Sequence, residues 1–228
     1  MVFEGINYEA IMNVLTKEQI GWSAKTRICN IQHVVIPDCL NGLPVLELGP
    51  YLFSKDNLET VQIPSTVEII GFRAFIECPN LHTVTIYQSD KGKETSLRLY
   101  GDVFKHCINL KKINGKKSLK FLGTGVFSNC KKLNLSLDTP IYGDIPTAAF
   151  FKCEALKNVQ IVGQNVHISP TAFRGCNELK RIILDCDSVD FGDKCFNVIK
   201  DKQFLCVNEC NAVDLAYLGL NVIVMEDS

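Results

Sequence analysis

The stretch AAFFKCEALKNVQI (148–161) returns 23 residues later as TAFRGCNELKRIIL (171–184). Working outward from it, seven phenylalanines mark one register: Phe53, Phe75, Phe104, Phe127, Phe150, Phe173 and Phe196, in steps of 22, 29, 23, 23, 23 and 23. Three residues after five of them stands a cysteine (Cys78, Cys107, Cys130, Cys153, Cys176), and six residues after the same five a leucine (Leu81, Leu110, Leu133, Leu156, Leu179). A short alternating run follows, as in VTI (84–86), VQI (159–161) and IIL (182–184). A fixed period of this length is the mark of a solenoid, in which no coil buries its apolar side chains alone and stacked coils share one core. Period-two alternation is that of a half-buried strand. Strands stacked at ~4.8 Å carry seven coils over roughly 30 Å.

The register also accounts for the cysteines. Eleven in 228 residues is many, but the odd number, with no C-x-x-C and no histidine at zinc-ligand spacing beside Cys206 and Cys210, is neither a secreted disulfide framework nor a metal site. A free cysteine packs as a small hydrophobe with a weak donor. The five in-register cysteines are therefore expected to line a tight interior turn. Cys195 takes the slot of Ala74, Ala149 and Ala172, one before the phenylalanine, and is expected in the core too.

The run VEIIGFRAFIECPNLHTVTI (67–86) resembles the BspA-type leucine-rich repeat, whose unit reads roughly I-P-x-x-V-x-x-I-G-x-x-A-F-x-x-C-x-x-L-x-x-V-x-I. Ile36-Pro37, Ile63-Pro64, Ile70-Gly71 and NGLPVLELG (41–49) fit it, and the likeness covers about residues 28–228. LSLDTPIYGDIP (135–146) slips by a residue and KINGKKSLKFLG (112–123) lacks the Ile-Pro, so these coils are expected to be distorted. The expected fold is a mainly β leucine-rich-repeat solenoid of about seven coils, with stacked short strands, turns and short helical pieces. It forms one domain: a cap over 1–27, the array over 28–209 and a cap over 210–228. In the first cap Tyr8, Ile11 and Leu15 allow a helix, whereas the resemblance favours a hairpin, which we prefer. In the last, Asn211 as N-cap and Gly219 as stop suggest a short helix before a closing strand in LNVIV (220–224). With both ends capped, a monomer is expected.

The resemblance implies a binding scaffold rather than an enzyme, placed at the cell surface or secreted. The amino end shows no signal peptide, which by default keeps the chain inside the cell or leaves an export signal outside this sequence. No apolar run is long enough for a membrane helix. No nucleophile elbow, H-E-x-x-H, P-loop or G-x-G-x-x-G occurs. No catalytic residue, metal ligand or cofactor is expected, and a thiol enzyme would have to rest on Cys206 or Cys210.

Recognition is expected on the outward strand positions. If Val84 and Ile86 point inward, the outward ladder is Thr60 and Gln62, Thr83 and Thr85, Lys112 and Asn114, Asn134 and Ser136, Asn158 and Gln160, and Arg181 with Ile183. It is mostly polar, uncharged and different in each coil. It serves either as a platform for a protein or glycan partner or as a merely solvated face. The one long step holds YQSDKGKETSL (87–97), a protruding loop around 88–96 that is either a recognition element or a tolerated insertion.

Charge offers a second reading. The net charge is −1, yet Val103–Leu137 holds eight lysines and no acid. Lys105, Lys111, Lys112, Lys116, Lys117, Lys120, Lys131 and Lys132 form a band that either binds an anionic ligand or is simply solvated. With no arginine among these lysines, it argues against nucleic acid.

Overall fold

The computed structural model describes residues 2–3, 6–12, 19–27, 32–90, 96–196, 203–206 and 221–224. At the amino end β1 (Val2–Phe3), β2 (Ile6–Met12) and β3 (Gln19–Arg27) pair antiparallel in succession, so the hairpin and not the helix is what these residues form. Strand β3 then runs parallel to β6 (Leu43–Leu48), with Ile6 and Ala24 buried and the Trp22 indole N–H donating to Leu40 O at 2.9 Å. The short β5 (Cys39–Leu40) pairs antiparallel with β6. Asn41 and Gly42 between them both take left-handed conformations, as a two-residue hairpin turn demands.

The coils lay down strands in two columns. The first column is β4 (His33–Val35), β7 (Thr60–Pro64), β9 (Thr83–Tyr87) and β11 (Lys112–Asn114), a four-stranded parallel sheet. The second continues from β6 through β8 (Ile69–Ile70), β10 (Leu97–Leu99) and β12 (Leu119–Phe121), also parallel. The irregular stretch noticed in the sequence is where this order breaks. Residues 135–140 form no strand, and β13 (Ile141–Tyr142) bonds to β12 on one side and to β14 (Asn158–Val162) on the other. The long sheet thus crosses from the second column to the first. It runs on through β16 (Arg181–Asp185), β18 (Gln203–Cys206) and β19 (Asn221–Val224), while β15 (Asn165–Ile168) and β17 (Ser188–Phe191) pair apart. The helix expected over 211–219 lies outside the described residues; β19 lies at the end of the long sheet.

One correction concerns the short helical pieces expected in the array; the described segments around the spine phenylalanines hold none. Among the described residues they are chains of turns with no helix. In the six coils from Phe53 to Phe173 the residues two before and two after the phenylalanine are left-handed, for example Arg73 (φ 56) and Glu77 (φ 56) around Phe75. This alternation aims every second N–H along the solenoid axis. Arg73, Phe75 and Glu77 donate to the carbonyls of Gly101, Val103 and Lys105 in the next coil at 3.0, 2.9 and 2.8 Å. Donors used between coils are not available for the i→i−4 bonds of a helix.

The core runs between the columns. The seven spine rings stack face to face, with centroids 5.1–5.5 Å apart and planes within 1–19°. The cysteines do more than fill space: each thiol donates to the carbonyl of the spine phenylalanine one coil back. Cys78 reaches Phe53 O at 2.9 Å, Cys107 reaches Phe75 O at 2.9 Å, and Cys130 reaches Phe104 O at 2.9 Å. Cys153 reaches Phe127 O at 3.1 Å and Cys176 reaches Phe150 O at 3.0 Å. Phe104 O also accepts the Cys107 N–H at 3.1 Å, so the thiol of the next coil fills its second lone pair.

Candidate interaction faces

Because the core lies between the columns, each sheet shows its outward residues to a different side of the solenoid. On the first column, strand register sets Thr60, Thr83 and Lys112 in one row and Gln62, Thr85 and Asn114 in the next. Val61, Val84 and Ile113 between them are buried. Past the break, Asn158 pairs with Arg181 and Gln160 with Ile183. Gln62, Lys112 and Arg181 are exposed, and Thr60, Thr83, Thr85, Asn114, Asn158 and Gln160 half-buried. Asn134 and Ser136 fall in the irregular coil and in no strand. Asn134 Oδ1 accepts the Lys157 N–H at 3.1 Å, and Ser136 closes a local turn on Asp138 at 3.2 Å. The ladder is therefore two blocks with a gap. Histidines missed in the sequence join it: His33 Nδ1 lies 3.0 Å from Thr60 Oγ1, and His82 Nδ1 lies 3.0 Å from Thr83 Oγ1.

The lysines do not form one band. Lys111 and Lys112 lie at and beside the first column. Lys120 is on the second column, paired in register with Arg98. Lys105 is held by Asp102 at 3.3 Å, Lys131 by Glu154 at 3.4 Å, and Lys132 donates to Asn109 Oδ1 at 2.7 Å. Lys117 leaves the surface altogether. It is buried, and its ammonium donates to Ser65 O at 2.7 Å and Val67 O at 2.8 Å, two coils back. Burial pulls its pKa down, with Glu68 acting against that and Arg98 with it.

Among the described residues, no backbone N–H of the next coil meets the Ser65 and Val67 carbonyls, and Lys117 serves them instead. Residues 91–95 of the expected loop lie outside the described residues. Its base is packed: Ser89 is buried, takes Ser65 Oγ at 2.9 Å with its N–H, and donates to Asp38 Oδ2 at 2.9 Å.

Four of the buried thiols are held in the neutral form. Burial pushes Cys107, Cys130 and Cys153 well above the ordinary thiol range and Cys195 up to about 11, so they stay neutral and poorly nucleophilic. Of the two thiols singled out earlier, Cys206 is in β18, and Cys210 lies outside the described residues. Among the described residues no three His, Cys, Asp or Glu gather as a metal would need, and no helix is long and apolar enough to cross a membrane.

The second column presents another surface. Tyr100 and Phe72 line a hollow of about 300 Å3 with Glu47, Pro50, Ile69 and Gly71. Gly71 is needed there because a Cβ would lie 2.7 Å from Pro50 N and 2.9 Å from the Gly49 carbonyl carbon.

Comparison with known proteins matches this architecture. The model of the BspA type Leucine rich repeat region matches in six copies, over residues 3–96, 46–133 and 93–203. Among solved structures, a T. pallidum Leucine Rich Repeat protein is 23% identical, covers 98% of this chain and 97% of its own, and superposes with a TM-score of 0.70. A leucine rich cell surface protein of Faecalibacterium prausnitzii is 18% identical over 100% of this chain and 84% of its own, with a TM-score of 0.44. No curated protein matches the chain. Seven spine rings, a cysteine ladder, two columns of short parallel strands and a family match across most of its length make this chain a member of the BspA-type leucine-rich repeat family.

Proposed function

We propose that this chain is a non-catalytic interaction module that binds a protein or glycan through the outward face of its first strand column. The observation that carries the reading is the register that aligns Gln62, Thr85 and Asn114, and Thr60, Thr83 and Lys112, in rows on a stiff sheet. Adjacent residues in a row are one strand spacing apart, ~4.8 Å. Side-chain amides and hydroxyls at that spacing offer donors and acceptors to a surface laid along the axis. The scaffold is already ordered, so little conformational entropy is lost on binding. Asn158, Gln160 and Arg181 extend the face beyond the break, with Asn134 and Ser136 at its edge. A place at the cell surface, which the family resemblance implies, belongs to the same proposal. The alternative of an anion site on Lys111, Lys112, Lys116, Lys117, Lys120, Lys131 and Lys132 is weakened by the burial of Lys117, the pairing of Lys131 and Lys132, and the separation of Lys120.

The test offers the immobilised protein to a glycan array and to a panel of extracellular matrix proteins at low and high salt, beside the triple variant Gln62→Ala, Thr85→Ala, Asn114→Ala. A partner kept at high salt by the native protein and weakened at least ~10-fold in the variant, the scale of one or two lost hydrogen bonds, is the expected result. Equal retention by both proteins would remove the first column as the site.

A further inference from the structure

The second column carries a surface that the reading above does not use. Tyr51, Phe72, Tyr100, Leu122 and Tyr142 are 39–50% exposed, high for large apolar side chains. They are contiguous. Tyr51 meets the Phe72 ring edge-on at 5.7 Å, and Phe72 and Tyr100 share the hollow of about 300 Å3. Tyr100 and Leu122 follow the paired strands β10 and β12, and Tyr142 pairs with Lys120 in register. The strip therefore crosses five successive coils, about 20 Å at the strand spacing.

Cations flank it. The Arg73 guanidinium carbon sits 4.7 Å from the Phe72 centroid, and its Nε donates to Asp102 Oδ2 at 3.1 Å. Arg98 donates to Glu68 at 3.0 Å and stands beside Lys120, which is exposed and has no partner among the described residues. Asp102 serves both Arg73 and Lys105, and Glu47 is turned to Lys25 at 3.8 Å. Asp102, Glu68 and Glu47 are each engaged by a cation, while Asp144 beyond Tyr142 accepts the His167 N–H at 2.8 Å, and Lys120, in register with Tyr142, is left as a free cation among the described residues. Aromatic side chains and arginines fixed by neighbours are what a protein-binding surface concentrates. The Phe72 ring carries the Arg73 guanidinium on one face and meets the Tyr51 ring edge-on. The few surplus charges do not make the continuous groove that a phosphate backbone tracks.

We infer that this strip is a second docking surface, for an acidic polypeptide segment that seats an aromatic or aliphatic side chain between Phe72 and Tyr100 and turns its carboxylates to Lys120, Arg98 and Arg73. It is independent of the first column, so either site can fail without the other.

The probe is a random copolymer of glutamate and tyrosine, run against polyglutamate, a lysine–tyrosine copolymer, heparin and an oligothymidylate. The glutamate–tyrosine copolymer is expected to bind at least ~10-fold more tightly than polyglutamate and the lysine–tyrosine copolymer not at all, because both the apolar anchor and the negative charge are required. Tyr100→Ser with Leu122→Ser, and separately Lys120→Glu, should each weaken binding ~10-fold or more with unchanged melting temperature, since all three side chains are exposed. Gln62→Ala, Thr85→Ala, Asn114→Ala on the other sheet should leave it unchanged. No binding of the copolymer, equal binding of polyglutamate, tighter binding of heparin or oligothymidylate, or indifference to the Tyr100 and Leu122 changes would each overturn the assignment.

Discussion

At the scale of the residue, the coil depends on backbone conformations that most side chains resist. An L-residue in the left-handed region costs roughly 1–2 kcal/mol, yet Ala148 (φ 56), Lys152 (φ 55) and Thr171 (φ 60) all take it. What offsets that cost is the inter-coil ladder, in which Lys152 donates to Arg174 O at 2.8 Å and Phe150 to Ala172 O at 2.8 Å. Gly125 (φ +66) and Gly175 (φ +87) fill equivalent slots without strain. Thr171 is branched at Cβ and half-buried, so its penalty is at the high end. Thr171→Gly should raise stability by about 0.5–1 kcal/mol, after the entropy that glycine adds to the unfolded chain is deducted. Gly175→Ala should lower it by about 1–3 kcal/mol, because the conformation is left-handed and the new Cβ lies 3.0 Å from Lys152 Cα. Urea denaturation of the two variants beside the native protein decides the matter. If both changes moved stability the same way, backbone handedness would not be the governing term.

At the scale of the element, Lys117 joins the turn 65–67 to a coil two steps away, its ammonium donating to Ser65 O at 2.7 Å and Val67 O at 2.8 Å. Lys117→Met keeps the length of the side chain and leaves Ser65 O and Val67 O unserved; it should cost about 2–4 kcal/mol. Lys112→Met, at an exposed position of the first column, should cost less than ~0.5 kcal/mol. Similar losses in thermal melts of the two would mean that Lys117 contributes only its solvated charge. The same element shows what a sequence carries and what it does not. The spine, the cysteine slots and the inward and outward sides of Thr83–Tyr87 were legible because stacking forces each coil to repeat one pattern. The distortion at 135–146 was legible as a slip in that pattern. Lys117 was not, because its partners Ser65 and Val67 lie two coils away and no feature of its own sequence neighbourhood marks them. The short helical pieces expected in the array do not form, because the N–H groups of the turns around the spine phenylalanines, Phe173 among them, are claimed by the next coil. The aromatic strip was hidden for a related reason: Tyr51, Phe72, Tyr100, Leu122 and Tyr142 occupy different slots of the repeat, and only the superposition of coils makes them neighbours.

At the scale of the whole molecule, the ladder of buried thiols ties stability to pH in a direction that can be worked out. Cys107, Cys130 and Cys153 titrate near 9.0 when exposed and only at higher pH in the fold, because burial disfavours the thiolate. Above pH 9 the unfolded chain therefore holds fewer protons than the native one, and stability that is complete below that pH is lost as pH rises. Each such thiol contributes up to about 1.4 kcal/mol per pH unit, and the three together about 4 kcal/mol per unit. Tyr87, pushed from 10.0 up to about 12 mainly by burial, acts in the same sense over that interval. Lys117 acts the other way: its pKa is lowered from 10.5, so the unfolded chain keeps the proton longer and stability gains as pH rises toward that value. One lysine does not cancel three thiols and a tyrosine, so the net slope is downward. Urea midpoints measured under reductant should hold steady to about pH 9 and then fall steeply, and Cys130→Ser, which removes one titrating group, should lessen the slope by up to about 1.4 kcal/mol per pH unit. A profile flat to pH 11 would mean that the cysteines ionise as readily in the fold as out of it. The column of thiols would then be open to water, and the continuous core from Phe53 to Phe196 would not exist as described.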